Sequence, residues 1–232
     1  MARENPSKGP KGLELIPVLD LMGGVVVHAR RGQRAAYRPI ETPLCAGSNP
    51  LDIAAALLDL APFHTLYVAD LDAIRGTGEH GSTIARIAAR FPGIEIWVDA
   101  GSARPGGCPV IGTETLADMV AAKAALADGA ILSLDHDAAG PMGPAELHAT
   151  PALWPSRVIA MSLARVGADE GPDFARLEEI QAKAGHRNVY VAGGVRGGDD
   201  LERLTAMGTT GVLLASALHD GRIGREQMGR FG

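Results

Sequence analysis

The chain is poor in cysteine, lysine, aromatics and long apolar runs, and each shortage narrows what it can be. Its two cysteines, Cys45 and Cys108, form no CxxC pair and read as free thiols of a reducing compartment. The only lysines are Lys8, Lys11, Lys123 and Lys183; none closes a strand-like run, which argues against Schiff-base chemistry. No apolar stretch approaches the ~20 residues of a membrane helix, and Met1 to Pro6 lack the apolar core of a signal peptide; the expected location is the cytoplasm. A net charge of −5 argues against a general nucleic-acid or anionic-membrane surface. There is no GxSxG elbow and no Walker-type phosphate loop. His28, His64, His80, His148, His186 and His219 show no metal-binding spacing, and Asp135, His136 and Asp137 sit at alternating positions that need not converge. No metal and no cofactor are expected. The Gly76–Gly81 stretch, with His80, reads as a flexible loop rather than a dinucleotide fingerprint.

What is present is an alternation. Apolar runs at Leu15–Leu19, Thr65–Ala69, Ile94–Val98, Pro109–Ile111, Ala130–Leu134, Arg157–Met161, Asn188–Val191 and Gly211–Leu214 are continuous, as in parallel strands covered on both faces. Helical patterns lie between them. Asn49 caps one with Pro50 at its first position, and Ile53, Ala54, Leu57, Leu58 and Ala61 form its buried stripe. Thr115 is expected to cap another, with Leu116, Met119, Val120 and Leu126 inward. Asp199 and Asp200 open a third, which Gly208 ends. Residues 1–12 read as a flexible arm and 13–232 as a single α/β domain.

An internal echo closes the sheet. The Trp97–Gly101 and Val110–Thr113 segments resemble Val191–Gly194 and Leu213–Ser216, a two-fold half-barrel repeat that predicts a (β/α)8 TIM barrel. Too few residues separate strands 3 and 4 for a full crossover helix. That helix is expected to be reduced or missing, with strand side chains exposed on that flank for a second copy or a partner subunit to cover.

In such a barrel the strand ends carry the chemistry. Asp20, Asp70, Asp99 and Asp135 end strands 1, 2, 3 and 5. Asp20 and Asp135, on opposite sides of the mouth, suit general acid–base work. Asp70 and Asp99 suit orientation of substrate hydroxyl or amino groups. Gly193, Gly194, Ala215 and Ser216, on adjacent loops after strands 7 and 8, make a natural phosphate cradle.

The Leu15–Val26 segment, Val68–Leu71, Leu132–Asp135, Ala192–Gly194 and Ala215–Ser216 together resemble the histidine-biosynthesis barrels. These are the phosphoribosylformimino-AICAR ribotide isomerase and the cyclase subunit of imidazole glycerol phosphate synthase. The resemblance runs from Leu13 to near the end. It implies that Asp20 and Asp135 are the acid–base pair of ring opening and an Amadori-type rearrangement. It also implies one phosphate on Gly193, Gly194, Ala215 and Ser216, and another near Gly101, Ser102, Gly112 and Thr113. The chain departs from the family pattern in three places. Asp99 places a carboxylate beside the first phosphate loop, where it would repel an anion. Met161-Ser162 and Arg165-Val166-Gly167 lack the two acids usual around strand 6. The 138–144 segment lacks the isomerase's Gly-Trp pair.

These departures resemble a paralogous branch linked to tetrahydromethanopterin- and methanofuran-dependent C1 metabolism. The expected function is a metal-free isomerase or lyase for a small phosphorylated metabolite. The alternatives are the histidine-pathway isomerase itself and a non-catalytic phosphate-binding or assembly subunit.

Overall fold

Eight parallel strands close on themselves: β1 (Glu14–Met22), β2 (Thr65–Asp70), β3 (Glu95–Asp99), β4 (Cys108–Gly112), β5 (Ile131–Asp137), β6 (Arg157–Ser162), β7 (Asn188–Ala192) and β8 (Gly211–Leu214). Neighbours pair in chain order, and β8 returns to β1 with Gly211 beside Glu14 and Leu214 beside Pro17. This computed structural model describes residues 12–103, 105–126 and 129–231. The arm expected over 1–12 therefore lies outside the described residues, apart from Gly12. The expected barrel is present, and each expected run overlaps its strand.

Side-chain alternation divides the strands between two apolar layers. Ile16, Tyr67, Trp97, Ile131, Tyr190 and Leu213 fill the barrel. Leu15, Leu66, Val98, Leu132, Val158 and Val212 face outward into the layer between strands and helices. The barrel floor is aromatic: Trp97 and Tyr190 meet edge to face at 4.9 Å. Gly211 makes room for this pair, since a Cβ there would lie 2.8 Å from the Tyr190 ring.

The surrounding helices are α1 (Pro50–Leu58), α2 (Gly81–Arg90), α3 (Met119–Ala125), α4 (Ala145–Ala149), α5 (Phe174–Ala184) and α6 (Gly198–Ala206). Asn49 caps α1 as expected, its Oδ1 accepting from the Leu51 and Asp52 N–H groups. α6 carries Asp199 and Asp200 in its first turn, and Gly208 follows its end at φ +70°. The helix after β4 differs from expectation. Its cap is Asp118, whose Oδ1 accepts from Val120 and Ala121 N–H, while Thr115 donates its hydroxyl to the Gly112 carbonyl. The later start rotates the buried face, so Val120, expected inward, is 78% exposed.

Among the described residues, no helix joins β3 to β4. Gly106 and Gly107, both at positive φ, turn the chain straight back. A Cβ on Gly107 would sit 2.6 Å from the Ile96 carbonyl oxygen. Ile96, Val98 and Ile111 on this flank are buried where exposure was expected, in the same apolar layer as Ala100 and Ala103, while Pro109 on the outward face of β4 is half-buried.

Candidate functional site

At the C-terminal mouth of the barrel, Asp20, Asp99 and Asp135 line one cavity of about 250 Å³. Parity brings them together. Asp20 follows Ile16 and Val18 on the inward face of β1, Asp99 follows Trp97, and Asp135 follows Ile131 and Ser133. A single missing side chain lets two of them approach. A Cβ at Gly112 would lie 2.8 Å from Asp135 Oδ2 and 3.5 Å from Asp99 Oδ2, so a larger residue there would have to displace the Asp135 carboxyl.

Each carboxyl is tuned by its surroundings. Burial pushes Asp20 up to about 7, with Arg34 pulling it down and Asp99 pushing it further up. Burial and then the charge of Glu114 raise Asp99 to about 6, against the Gly101 N–H, the Tyr67 hydroxyl and Arg34. Tyr67 donates to Asp99 Oδ2 at 3.1 Å. Burial and then Asp99 raise Asp135 to about 8. Asp135 accepts from the Ser133 hydroxyl and from the Glu114 N–H at 3.0 Å, which oppose that rise. Near neutral pH the cavity therefore holds protonated and ionised carboxyls together, the condition for acid and base in one site.

Asp70 belongs elsewhere. It follows Val68 on the outward parity of β2 and is fully buried. Its Oδ1 caps the Leu71–Arg75 helix through the Ala73 N–H and meets His80 Nδ1 at 2.8 Å. Its Oδ2 accepts the His80 N–H at 2.6 Å. His80 Nε2 in turn accepts from the Gly24 N–H. The expected substrate-orienting aspartate thus ties the β2 loop to the hairpin after β1 and does not line the cavity. Asp70→Ala should leave several buried donors unpaired and lower stability by about 1–3 kcal/mol, read as a fall in Tm.

The loops after β7 and β8 form a small cleft adjoining the cavity, with Val166, Leu213 and Ala215 lining both. Gly193 and Gly194 adopt φ +99° and +90°. A side chain at Gly193 would meet the Ser162 carbonyl oxygen at 2.5 Å, and one at Gly194 would strike Gly171. Ser216 opens the short Ser216–His219 helix, its hydroxyl 3.0 Å from His28 Nε2. Arg222 also lines the cleft, held by Asp169 at 2.7 Å and Asp220 at 3.0 Å.

The strand 3–4 residues are differently placed. Thr113 is fully buried and its hydroxyl accepts the Asp135 N–H. The Gly112 carbonyl is taken by Thr115. Gly101 packs on the Leu71–Arg75 helix, with the Ile74 Cα 3.3 Å from where its Cβ would be. Ser102 is exposed. The cavity beyond them is lined by Asp99, Glu114 and Asp135, with Arg34 bound to Glu114.

Two contributors had no signal in the sequence. Arg34 and Glu114 meet at 2.6 Å across the mouth, joining the 29–37 loop to the segment after β4. Tyr67 lies within the expected Thr65–Ala69 run. Its inward parity, two before Ala69 on β2, was the available clue.

Residues 14–130 and 151–224 match the family described as histidine biosynthesis protein. The chain belongs to that family. It is 27% identical over 230 residues to an uncharacterized protein of Methanocaldococcus jannaschii, covering 95% of this chain and 100% of the relative. It is also 27% identical over 241 residues to the 1-(5-phosphoribosyl)-5-((5-phosphoribosylamino)methylideneamino)imidazole-4-carboxamide isomerase of Symbiobacterium thermophilum, covering 91% and 93% of the two chains. The phosphoribosyl isomerase A of Streptomyces griseus is 27% identical over 235 residues, with 89% and 92% covered. Family membership agrees with the resemblance read from the strand-end motifs. The link to C1 metabolism gains no support from these names.

Proposed function

We propose that this chain is a general acid–base isomerase acting on a small aminoaldose that carries one phosphate. The observation that supports it is the polarity of the site. A glycine-lined cleft after β7 and β8 suits one phosphate, while the opposite wall carries Asp99, ionised near neutral pH, which would repel a second. Asp135, held protonated by burial, delivers a proton to the ring oxygen as the sugar opens. Asp20, ionised, takes the proton from the carbon next to the Schiff base. The resulting enaminol becomes the aminoketose as Asp20 passes its proton to C1 and the enol hydroxyl gives its proton to Asp135, which returns both carboxyls to their starting states. Asp99, braced by Tyr67, orients a substrate hydroxyl or amino group.

The pH dependence follows from these assignments. Below about 7 Asp20 gains a proton and the base is lost; above about 8 Asp135 loses its proton and the acid is lost. The expected kcat/KM profile is a bell with its top between these limbs. A flat profile from pH 5 to 9 would contradict the assignment.

A second reading, the histidine-pathway isomerase itself, is favoured by the names of the relatives. Parallel assays on a mono-phosphorylated aminoaldose and on the bis-phosphoribosyl compound named for those relatives separate the two. Turnover of the first alone supports the one-phosphate reading. Turnover of the second, with rescue of a histidine auxotroph, replaces it. A non-catalytic phosphate-binding subunit would turn over neither. A role in tetrahydromethanopterin or methanofuran formation would use this same chemistry. It would show as loss of that cofactor in a deletion strain that still makes histidine.

A further inference from the structure

The 29–37 loop crosses the mouth of the barrel and is tied down on the far side. The Arg31 N–H donates to the Val166 carbonyl at 2.7 Å, and Arg31 pairs with Glu170 at 2.7 Å. A Cβ on Gly32 would lie 3.6 Å from the Leu163 side chain, and Gly167 has no room for a side chain because the Ala29 carbonyl is against it. These anchors deliver Arg34 to the cavity wall, where it binds Glu114. Glu114 is the more buried partner, with 12% of its side chain exposed against 26% for Arg34. A pair this sheltered is screened far less than a surface salt bridge. Arg34 and Asp20 line the same cavity.

We propose that Arg34 is a positioning residue for the proton-transfer step: its guanidinium, clasped to Glu114 across the mouth, supplies the positive charge that keeps the Asp20 carboxylate ionised among other acids. This rests on Asp20 acting as the base. The titratable groups lining the cavity with Asp20 are Arg31, Arg34 and Tyr37 from the loop, Tyr67 from β2, Asp99 from β3, Glu114 after β4, and Asp135 and Asp137 from β5. Of the two cations, Arg31 is engaged by Glu170 and Arg34 is the one whose charge acts on Asp20; without it burial and Asp99 both act to protonate Asp20. The two tyrosines carry no charge near neutral pH: burial and then Asp20 push Tyr37 up to about 12, and burial and then Asp99 push Tyr67 well above its usual range. Glu114 holds the guanidinium in place and, by its own charge, pushes both Asp99 and Asp135 up, helping to keep Asp135 protonated. The clasp thus acts in opposite directions on the base and on the acid.

The test is a carboxyl-carbon NMR titration of the full chain with isotopically labelled aspartates, Asp20 being assigned from Asp20→Asn. In Arg34→Gln the Asp20 midpoint should rise by about one pH unit, and in Arg34→Lys, which restores the charge, it should return most of the way. Glu114→Gln should lower the Asp99 and Asp135 midpoints. If kcat/KM is measurable, its acid limb should move with Asp20 in the same variants, and the alkaline limb should move down in Glu114→Gln. An Asp20 midpoint that stays put in Arg34→Gln overturns the proposal. So does a change in KM with both limbs fixed, which is what a loop that merely closes the mouth would give. A shifted midpoint in a protein that turns over neither substrate leaves the Arg34 assignment standing and removes the isomerase reading instead.

Discussion

Asp135→Asn is expected to lower kcat by about 10²–10⁴-fold while making the protein more stable at pH 8. The two effects share one cause. Asparagine keeps the shape and the pairing of Asp135: its carbonyl can accept the Glu114 N–H, and its amide can donate to Ser133 once that hydroxyl turns. The proton it can no longer give is the one required at the ring oxygen. Asp20→Asn should show a comparable loss for the opposite reason, since an amide cannot accept the carbon-bound proton. A loss under about tenfold in either variant would remove that residue from the chemistry.

The stability change has a definite sign. The folded-state value of Asp135 is raised to about 8, against about 3.9 in an unfolded chain. Between those values the folded protein binds the extra proton, so wild-type stability falls as pH rises through the window. The penalty is absent below about 4 and complete above about 8. Asparagine does not titrate, so the variant should lack this part of the slope. Thermal melts at intervals from pH 4 to 9 should show the Tm curves of variant and wild type diverging with pH, with the variant higher at the alkaline end. Parallel curves would mean that Asp135 is not held protonated by the fold.

The barrel was legible because its determinants are local. Continuous apolar runs, small residues at strand ends and the Asn49 cap each act over a few residues. Membership of the acid cluster was half legible. An aspartate at the end of a strand points inward or outward according to its parity with the strand's interior residues. Asp20, Asp99 and Asp135 share parity with Val18, Trp97 and Ser133; Asp70 shares it with Val68, which faces the helices. Had alternation been followed back from Tyr67, Asp70 would have been assigned outward. Arg34 was not legible at all, because its role depends on a contact with Glu114 made by folding two distant loops together. The placing of Thr113 was likewise set by folding: a threonine after a strand reads as an anion donor, yet here it is fully buried with its hydroxyl accepting the Asp135 N–H. The loop between β3 and β4 was too short for a helix, as its length required. That same shortness brings Gly107 close over Ile96 and Val98, so these side chains are buried although no helix follows β3 directly.

Gly194→Ala should abolish phosphate binding at the β7–β8 cleft and destabilise the fold. At φ +90° any side chain is strained, which alone costs about 1–2 kcal/mol. The new methyl would also lie 2.6 Å from the Gly171 carbonyl carbon and 3.1 Å from the Pro172 nitrogen. These are backbone atoms, so relief requires the loop after β6 to move away. Overpacking of this kind costs about 1–3 kcal/mol more. Gly193 and Gly194 line the cleft with their backbone, so a displaced chain turns its N–H groups from any bound anion. Titration with inorganic phosphate should therefore raise the wild-type Tm by mass action and leave that of the variant nearly unchanged. Gly208→Ala separates strain from site. Its φ of +70° carries a similar backbone cost, its Cβ would meet nothing within 4 Å, and it lies past the end of α6, outside the cleft. That variant should lose stability yet keep the wild-type response to phosphate. If both variants respond to phosphate alike, the cleft is not where the anion binds, and the one-phosphate reading loses its anchor.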